Sequence, residues 1–429
     1  MSQRYQQSEL LLARAEQSIP LGSQTFSKSK IQFPFGVSPY FIEHGEGCHV
    51  WDADGNEYID FTNGLLSVTL GYNDTDVNAA VEAQLRNGVT FSLPHRLEIE
   101  VAEKLIQMVP CAEMVRFAKN GSDATTGAIR LARAVTGREH VAVCGYHGWQ
   151  DWYIGTTTRN RGVPEATTQL SHTFSYNNID SLTKLFESYP GQIAAVILEP
   201  MSATYPEPGF LQAVKELTHT YGAILVFDET ITGFRFANGG AQEYFSVIPD
   251  LATFGKGMAN GFPLSAVVGR KDIMRVMEDI FFSSTFGGET LSLAAANAVL
   301  NKYLSKPVVQ HLYSQGEKVL TGARELIEKH NVVTIVNLAG SAPWSLLSIQ
   351  DAEPYSSWDI KTLFMQEMLA RGILTIGSHN MSYSHSDADI ETLLKAYDEV
   401  LPIISQAVKE KKLRDLLRAE PLQPLFRVR

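Results

Sequence analysis

The first residue in this chain that could do covalent chemistry is Lys256. It lies between two glycines in FGKG, residues 254–257, directly after the apolar run LATF. Flanking glycines let a backbone approach a ligand closely. A free lysine amine has a pKa of about 10.4, so it attacks poorly at neutral pH unless its surroundings lower that value. The Gly-Lys pair is no phosphate-binding P-loop, because Gly257 stands where Ser or Thr is required and position 250 is Asp250. Taken alone, Lys256 reads as structural. A second group is Asp228 in FDET, residues 227–230, the first charge after the run AILVF. A carboxylate buried there needs a positive partner, although many α/β proteins place an acid at such a point for a metal or a ribose. The third stretch is KNGSDATTGAIRLARA, where Asn120-Gly121-Ser122 leads into a helix. The unbonded N–H groups of its first turn form a cradle for phosphate, and ordinary capping by Ser122 or Asp123 explains the same residues.

These groups need a scaffold, and the apolar pattern supplies one. Short strand-like runs, most of them apolar, occur at 115–117, 141–144, 193–198, 223–227, 251–254 and 264–269. Helical patterns at about 123–136, 178–188 and 209–221 fall between several of them. Continuous apolar strands alternating with helices imply a parallel sheet covered on both faces, with ligands at the carboxyl ends of its strands. Ahead of this region, GCHVWDADGNEYIDF carries a β-hairpin signal around Asp54-Gly55. After it, a helix-rich stretch at 289–330 gives way to a smaller α/β pattern. The expected organisation is an N-terminal segment over 1–75, a large domain over 76–305 and a smaller α/β domain over 306–429.

The chain has 429 residues, 44% of them apolar and 19% charged, with a formal charge of −11 and no dense Lys/Arg run. Nucleic-acid and anionic-membrane surfaces need clustered positive charge, so neither is expected. Cys48, Cys111 and Cys144 show no CxxC or Cys/His spacing, which argues against a disulfide framework or a metal site and fits a reducing, cytoplasmic setting. No apolar stretch approaches the 18 or so residues of a membrane helix.

The conjunction carries more than its parts. A phosphate cradle, then Tyr146 in GYHGW, then Asp228, then Lys256, in that order, together with ILEP, FDETITGFRF, DLATFGKGMANGFPLSAVVGR and STFGGETLSLAAA, resembles the class III aminotransferases. Within that group the chain is most similar to glutamate-1-semialdehyde aminomutases, over roughly residues 45–300. The resemblance implies an α/β, fold-type-I transferase dependent on pyridoxal 5′-phosphate (PLP), with a mostly parallel seven-stranded sheet. It further implies that Lys256 links to the cofactor aldehyde, that Asp228 pairs with its ring nitrogen and that Gly121 and Ser122 hold its phosphate. Tyr146 would stack on the ring, and Thr285 would reach the cofactor of a second subunit in a homodimer. Glu199, in ILEP, would sit close by. His147 reads as a hydrogen-bonded structural histidine, and Arg235 as either an ion-pair partner or a substrate clamp.

Departures from the aminomutase pattern fall where substrate is expected. Lys28 stands where an arginine would bind the substrate carboxylate, and lysine lacks the flat bidentate fork of arginine. Trp149 replaces a histidine, and no acid occurs between Ile373 and Ser386. The cluster His379, Asn380, Ser382, Tyr383 and His385 suits a polar, sugar-like carbonyl acceptor, or else forms a solvated loop. The resulting expectation is an aminotransferase joining a small-molecule amino donor to a carbonyl acceptor. The alternatives are an intramolecular aminomutase and, more remotely, a non-catalytic PLP-binding regulator.

Overall fold

The computed structural model describes residues 3–424. The chain separates into two compact units, one of residues 75–309 and one of residues 1–74 with 310–425.

The first unit is built on a seven-stranded sheet. Its strands are β1 (Met114–Ala118), β2 (His140–Cys144), β3 (Ser171–Thr173), β4 (Ile193–Leu198), β5 (Ile224–Asp228), β6 (Leu251–Phe254) and β7 (Ser265–Gly269). Their order across the sheet is β1-β7-β6-β5-β4-β2-β3. All neighbours are parallel except at β7, which runs antiparallel to both β6 and β1. Every residue of β4, β5 and β6 is buried, as their predominantly apolar sequence requires of strands covered on both faces. The pairing has a consequence for chemistry. Cys144 lies opposite Leu198, Leu198 opposite Phe227, and Asp228 opposite Thr253. The carboxyl ends of four strands are therefore level, and whatever follows each of them emerges at one edge.

The helix Gly121–Thr136 starts at that same edge. It follows β1 directly, and the Ser265 hydroxyl at the start of β7 donates to the Asn120 carbonyl at 2.7 Å. Asp123 Oδ2 accepts from the Asn120 N–H at 2.8 Å, fixing the first turn. Ala124, Ala128, Ile129, Leu131 and Ala132 face the sheet in one apolar cluster with Val141, Ile197 and Val226. Gly137, at φ 67°, ends the helix in the left-handed conformation that glycine adopts without penalty.

The second unit holds the expected hairpin. Strands His49–Asp52 and Glu57–Asp60 pair antiparallel, with Gly55 at φ 82° in the turn. A second sheet joins Val336–Ser341, Trp344–Ile349 and Ser378–Asn380. Helices Ser357–Ala370 and Asp387–Lys409 supply Leu363, Phe364, Met368, Leu393, Tyr397 and Ile404 to the core of this unit, around Phe61.

That core corrects one expectation. His379, Asn380, Ser382 and His385 are neither a solvated loop nor a set of polar groups offered to substrate, because all four are buried. The His379 ring is committed at both nitrogens, with Ser345 Oγ 2.9 Å from Nδ1 and Tyr397 Oη 2.6 Å from Nε2. Asn380 donates to the Thr62 carbonyl at 2.8 Å. The His379 ring and the Asn380 amide N–H are thus bonded inside the unit, while Asn380 Oδ1 and His385 Nε2 have no hydrogen-bond partner among the described residues. Burial, reinforced by His385, pushes the His379 imidazole down to about 4. An unfolded histidine titrates near 6.5, so protons bind the unfolded chain first. Stability is therefore full above about pH 6.5 and falls as pH drops towards 4, by about 3 kcal/mol for this residue. Urea unfolding at pH 7 and at pH 4.5 checks this, and His379→Asn should flatten the difference.

Candidate active site

Four loops meet at the level strand ends. Asp228, the last residue of β5, is buried at 4% exposure and collects several donors. Its Oδ2 lies 2.9 Å from His147 Nδ1, while Oδ1 accepts from the Thr230 N–H at 3.1 Å, the Thr230 hydroxyl at 2.5 Å and the Thr253 hydroxyl at 3.1 Å. Burial alone would raise this carboxyl, but the His147 and Thr230 bonds outweigh it and hold the pKa below the ordinary aspartate value. Asp228 is thus a carboxylate at neutral pH.

The partner of Asp228 is the residue that sequence reading undervalued. His147 follows β2 and is 1% exposed. Its Nε2 sits 3.1 Å from the Cys144 carbonyl, which can only accept. Its Nδ1 faces the Asp228 carboxylate, which can also only accept. The signal available in the sequence was position: GYHG follows one strand end as FDET closes another, two strands away.

Glu199 follows β4 and is half-buried. Its Oε2 accepts from the Tyr146 N–H at 3.0 Å. Burial and the nearby Asp228 charge push its carboxyl above the ordinary glutamate range. Gly145, at φ 106°, is required beside it, since a β-carbon there would lie 2.5 Å from Glu199 Oε2.

Lys256 follows β6 at φ 42°, a left-handed conformation unusual for a side chain with a β-carbon. Strain of this kind costs about 1–3 kcal/mol and collects at functional positions. The side chain is half-buried. Burial draws its amine below the usual lysine range, against the opposing pull of Asp228 and Glu199 and with help from Arg235. A larger fraction is therefore the free, nucleophilic amine. Arg235 is 1% exposed, with its guanidinium pushed down to about 10 by burial. It belongs to the interior.

Ser122, in the first turn of the 16-residue helix Gly121–Thr136, is 7% exposed. Its hydroxyl has no hydrogen-bond partner among the described residues. Two glycines make room around it. A β-carbon on Gly121 would lie 2.9 Å from Thr230 Cγ2, and one on Gly148 would lie 2.5 Å from Ser122 Cβ. Gly148 also has φ 106°. Gly148→Ala is therefore expected to lower the unfolding free energy by about 1–3 kcal/mol through backbone strain and the clash with Ser122. Denaturant melts of the two proteins read this directly.

The other expected site residues divide by position. Tyr146 is 49% exposed and packs edge-to-face on Tyr153, ring centres 5.5 Å apart. Trp149 is exposed, and Thr285 lies in the exposed stretch before the helix Thr290–Ser305. Lys28, exposed at the end of the turn Phe26–Lys28, and the buried His379 belong to the second unit. The groups brought together at the strand ends are Gly121, Ser122, Tyr146, His147, Glu199, Asp228 and Lys256.

The sequence profile of Aminotransferase class-III matches residues 34–401. The chain belongs to this family. The 3-aminobutyryl-CoA aminotransferase of Cloacimonas acidaminovorans (strain Evry) is 34% identical over 402 residues, covering 91% of this chain and 95% of its own. The FumI protein of Sphingopyxis sp. MTA144, solved in its PLP internal aldimine form, is 28% identical, with a TM-score of 0.88 over 97% of this chain and 99% of its own. A glutamate-1-semialdehyde aminomutase from Pseudomonas aeruginosa PAO1 has a TM-score of 0.83 over 94% of this chain and 95% of its own. At 22% identity that likeness speaks for the fold alone.

Class III aminotransferases use PLP, and this aminotransferase has the residues for it. The cofactor needs an amine for its aldehyde, an anion for its protonated ring nitrogen and donors for its phosphate. The strand ends carry an amine of lowered pKa, a carboxylate held ionised, and a helix start whose buried hydroxyl has no partner among the described residues. The residues fit the group.

Proposed function

We propose that Lys256, Asp228 and the Ser122 helix start are the working groups of this aminotransferase, and that its substrates carry the transferred amino group on the β-carbon or further from the carboxyl or thioester. The observation that carries the first part is the lowered amine of Lys256 beside a carboxylate locked by His147, both at level strand ends. The second part is supported by the 34% identical relative that acts on 3-aminobutyryl-CoA. The polar cluster around His379 lends no support to a sugar-like acceptor, because it is interior packing.

PLP, when bound, supplies the electron sink that lets a C–H bond beside nitrogen release its proton. The chain does the rest. Asp228 would hold a proton at the ring nitrogen. The backbone N–H groups at Gly121 and Ser122, with the Ser122 hydroxyl, would bind the phosphate. Tyr146 would lie against the ring. Lys256 Nζ would hold the cofactor aldehyde and move the proton at the amine-bearing carbon of the substrate. Glu199 positions the Tyr146 backbone by accepting its N–H.

A homodimer is part of this reading. Phe281, Phe286, Leu93 and Ile99 are large apolar residues with half or more of their surface exposed, all in the unit that holds Thr285. A second copy burying them would put Thr285 at a shared interface. Sedimentation at micromolar concentration tests this, and a monomer would exclude it.

The deciding experiment adds amino donors one at a time to the PLP-loaded enzyme and follows the cofactor absorbance band. A β-amino compound such as 3-aminobutyrate, free or as its thioester, should discharge the band faster than any α-amino acid. Preference for an α-amino acid would sink the substrate assignment. Turnover of a single substrate with no second partner would mark an aminomutase, whereas ping-pong kinetics marks the transferase.

A further inference from the structure

In the unit of residues 1–74 and 310–425, three side chains of classical metal-ligand type converge. Cys48 Sγ lies 3.4 Å from Asp389 Oδ2, and His49 Nε2 lies 2.9 Å from Asp389 Oδ1. One ligand atom from each of the three residues falls within 4.8 Å of the others. We propose that Cys48, His49 and Asp389 form a binding site for a zinc-class divalent cation, which would clip the hairpin strand His49–Asp52 to the start of the helix Asp387–Lys409.

The chemistry of the set supports this. Thiolate, imidazole and carboxylate are the donors that zinc takes, at metal–ligand lengths of about 2.0–2.3 Å, which spaces neighbouring donors by about 3.5 Å in a tetrahedron. The separations of 2.9 and 3.4 Å need little adjustment to reach that. The outer shell is in place as well. His49 Nδ1 faces Glu57 Oε1 at 2.8 Å, the carboxylate–histidine arrangement that fixes a ring so its other nitrogen can ligate. Charge also balances, since one thiolate and one carboxylate neutralise a divalent ion and the imidazole binds neutral. His49 is about a third exposed, which leaves solvent access and a fourth position for water.

Without metal the same atoms make a hydrogen-bonded cluster. The Cys48 thiol is buried and raised well above the ordinary cysteine value by burial and by Asp389, so it stays protonated. Binding exchanges that proton for the metal: the S–H bond breaks, an S–metal bond forms and H⁺ leaves to solvent. Asp389 Oδ2 also accepts from the Ser386 N–H and hydroxyl at 2.8 and 2.6 Å, which fixes the orientation of the carboxylate between Cys48 and His49.

The test uses the PLP-loaded full chain after dialysis against a chelator. Zinc should be retained at one equivalent per chain and raise Tm in proportion to the logarithm of its concentration. Cobalt(II) in its place should give a thiolate charge-transfer band. Cys48→Ser should abolish the band and the Tm rise while keeping basal aminotransferase activity, and Cys111→Ser should keep all three. Glu57→Gln should weaken zinc about 10- to 100-fold. Absence of retained metal in the unaltered protein, or a cobalt band that survives Cys48→Ser, would overturn the assignment.

Discussion

Lys256→Ala is expected to lower the aminotransferase rate by about 10⁴-fold, because one amine supplies both the covalent link and the proton transfer. The variant should still fold. Its lysine is half-buried rather than a packed core residue, and alanine at φ 42° keeps the strain that is already present. It should still bind cofactor through the Ser122 helix start and Asp228, but reversibly. Borohydride reduction followed by peptide mass analysis separates the possibilities. The unaltered enzyme should carry the cofactor mass on the peptide containing Lys256, and the variant should carry none. Retention of full activity, or trapping on a different lysine, would remove Lys256 from its role and leave the family assignment standing.

Asp228→Asn tests a different quantity: whether the carboxylate, rather than a polar atom of its shape, matters. The amide preserves the volume and can still meet Thr230 and Thr253, but it carries no charge. A loss of about 10²- to 10³-fold in kcat is expected from removing a fixed charge at the reacting group, with a smaller change in cofactor affinity. The pH dependence gives an independent reading. Against the opposing effect of burial, His147 and Thr230 hold the Asp228 carboxyl below its ordinary value. Its stabilising contribution is therefore present above about pH 3.9, the unfolded value, and is lost as pH falls through the lower folded value. Acid unfolding curves should show that loss in the unaltered protein and a shallower fall in Asp228→Asn. Identical curves together with unchanged kcat would mean the pair is packing only.

His147 shows why some of the site escaped the sequence. A histidine next to a tyrosine in GYHG has no periodic or spacing signature that sets it apart from a structural residue. Its role follows from the sheet order, which places β2 and β5 on either side of β4, and from level strand ends that bring its ring to Asp228. His379 shows the converse. Its neighbours in the chain are polar, which suggested a ligand-lining loop, yet Ser345 and Tyr397, 34 and 18 residues away, absorb both of its nitrogens. Local composition reports what a segment contains, and not which distant segment will satisfy it.

The alternation of apolar runs with helices, the FDET and FGKG punctuation after strands, and the NGSDAT helix start were readable directly, because strand and helix periods and end signals are local properties of the chain. They determined an α/β fold with its ligands at the carboxyl ends of the strands. Only the tertiary structure decided the strand order, the pairing of Asp228 with His147, the lowered amine of Lys256 and the burial of the His379 cluster. Each of these depends on which remote residues exclude water from a given group, and desolvation is a property of the packed molecule rather than of any stretch of sequence.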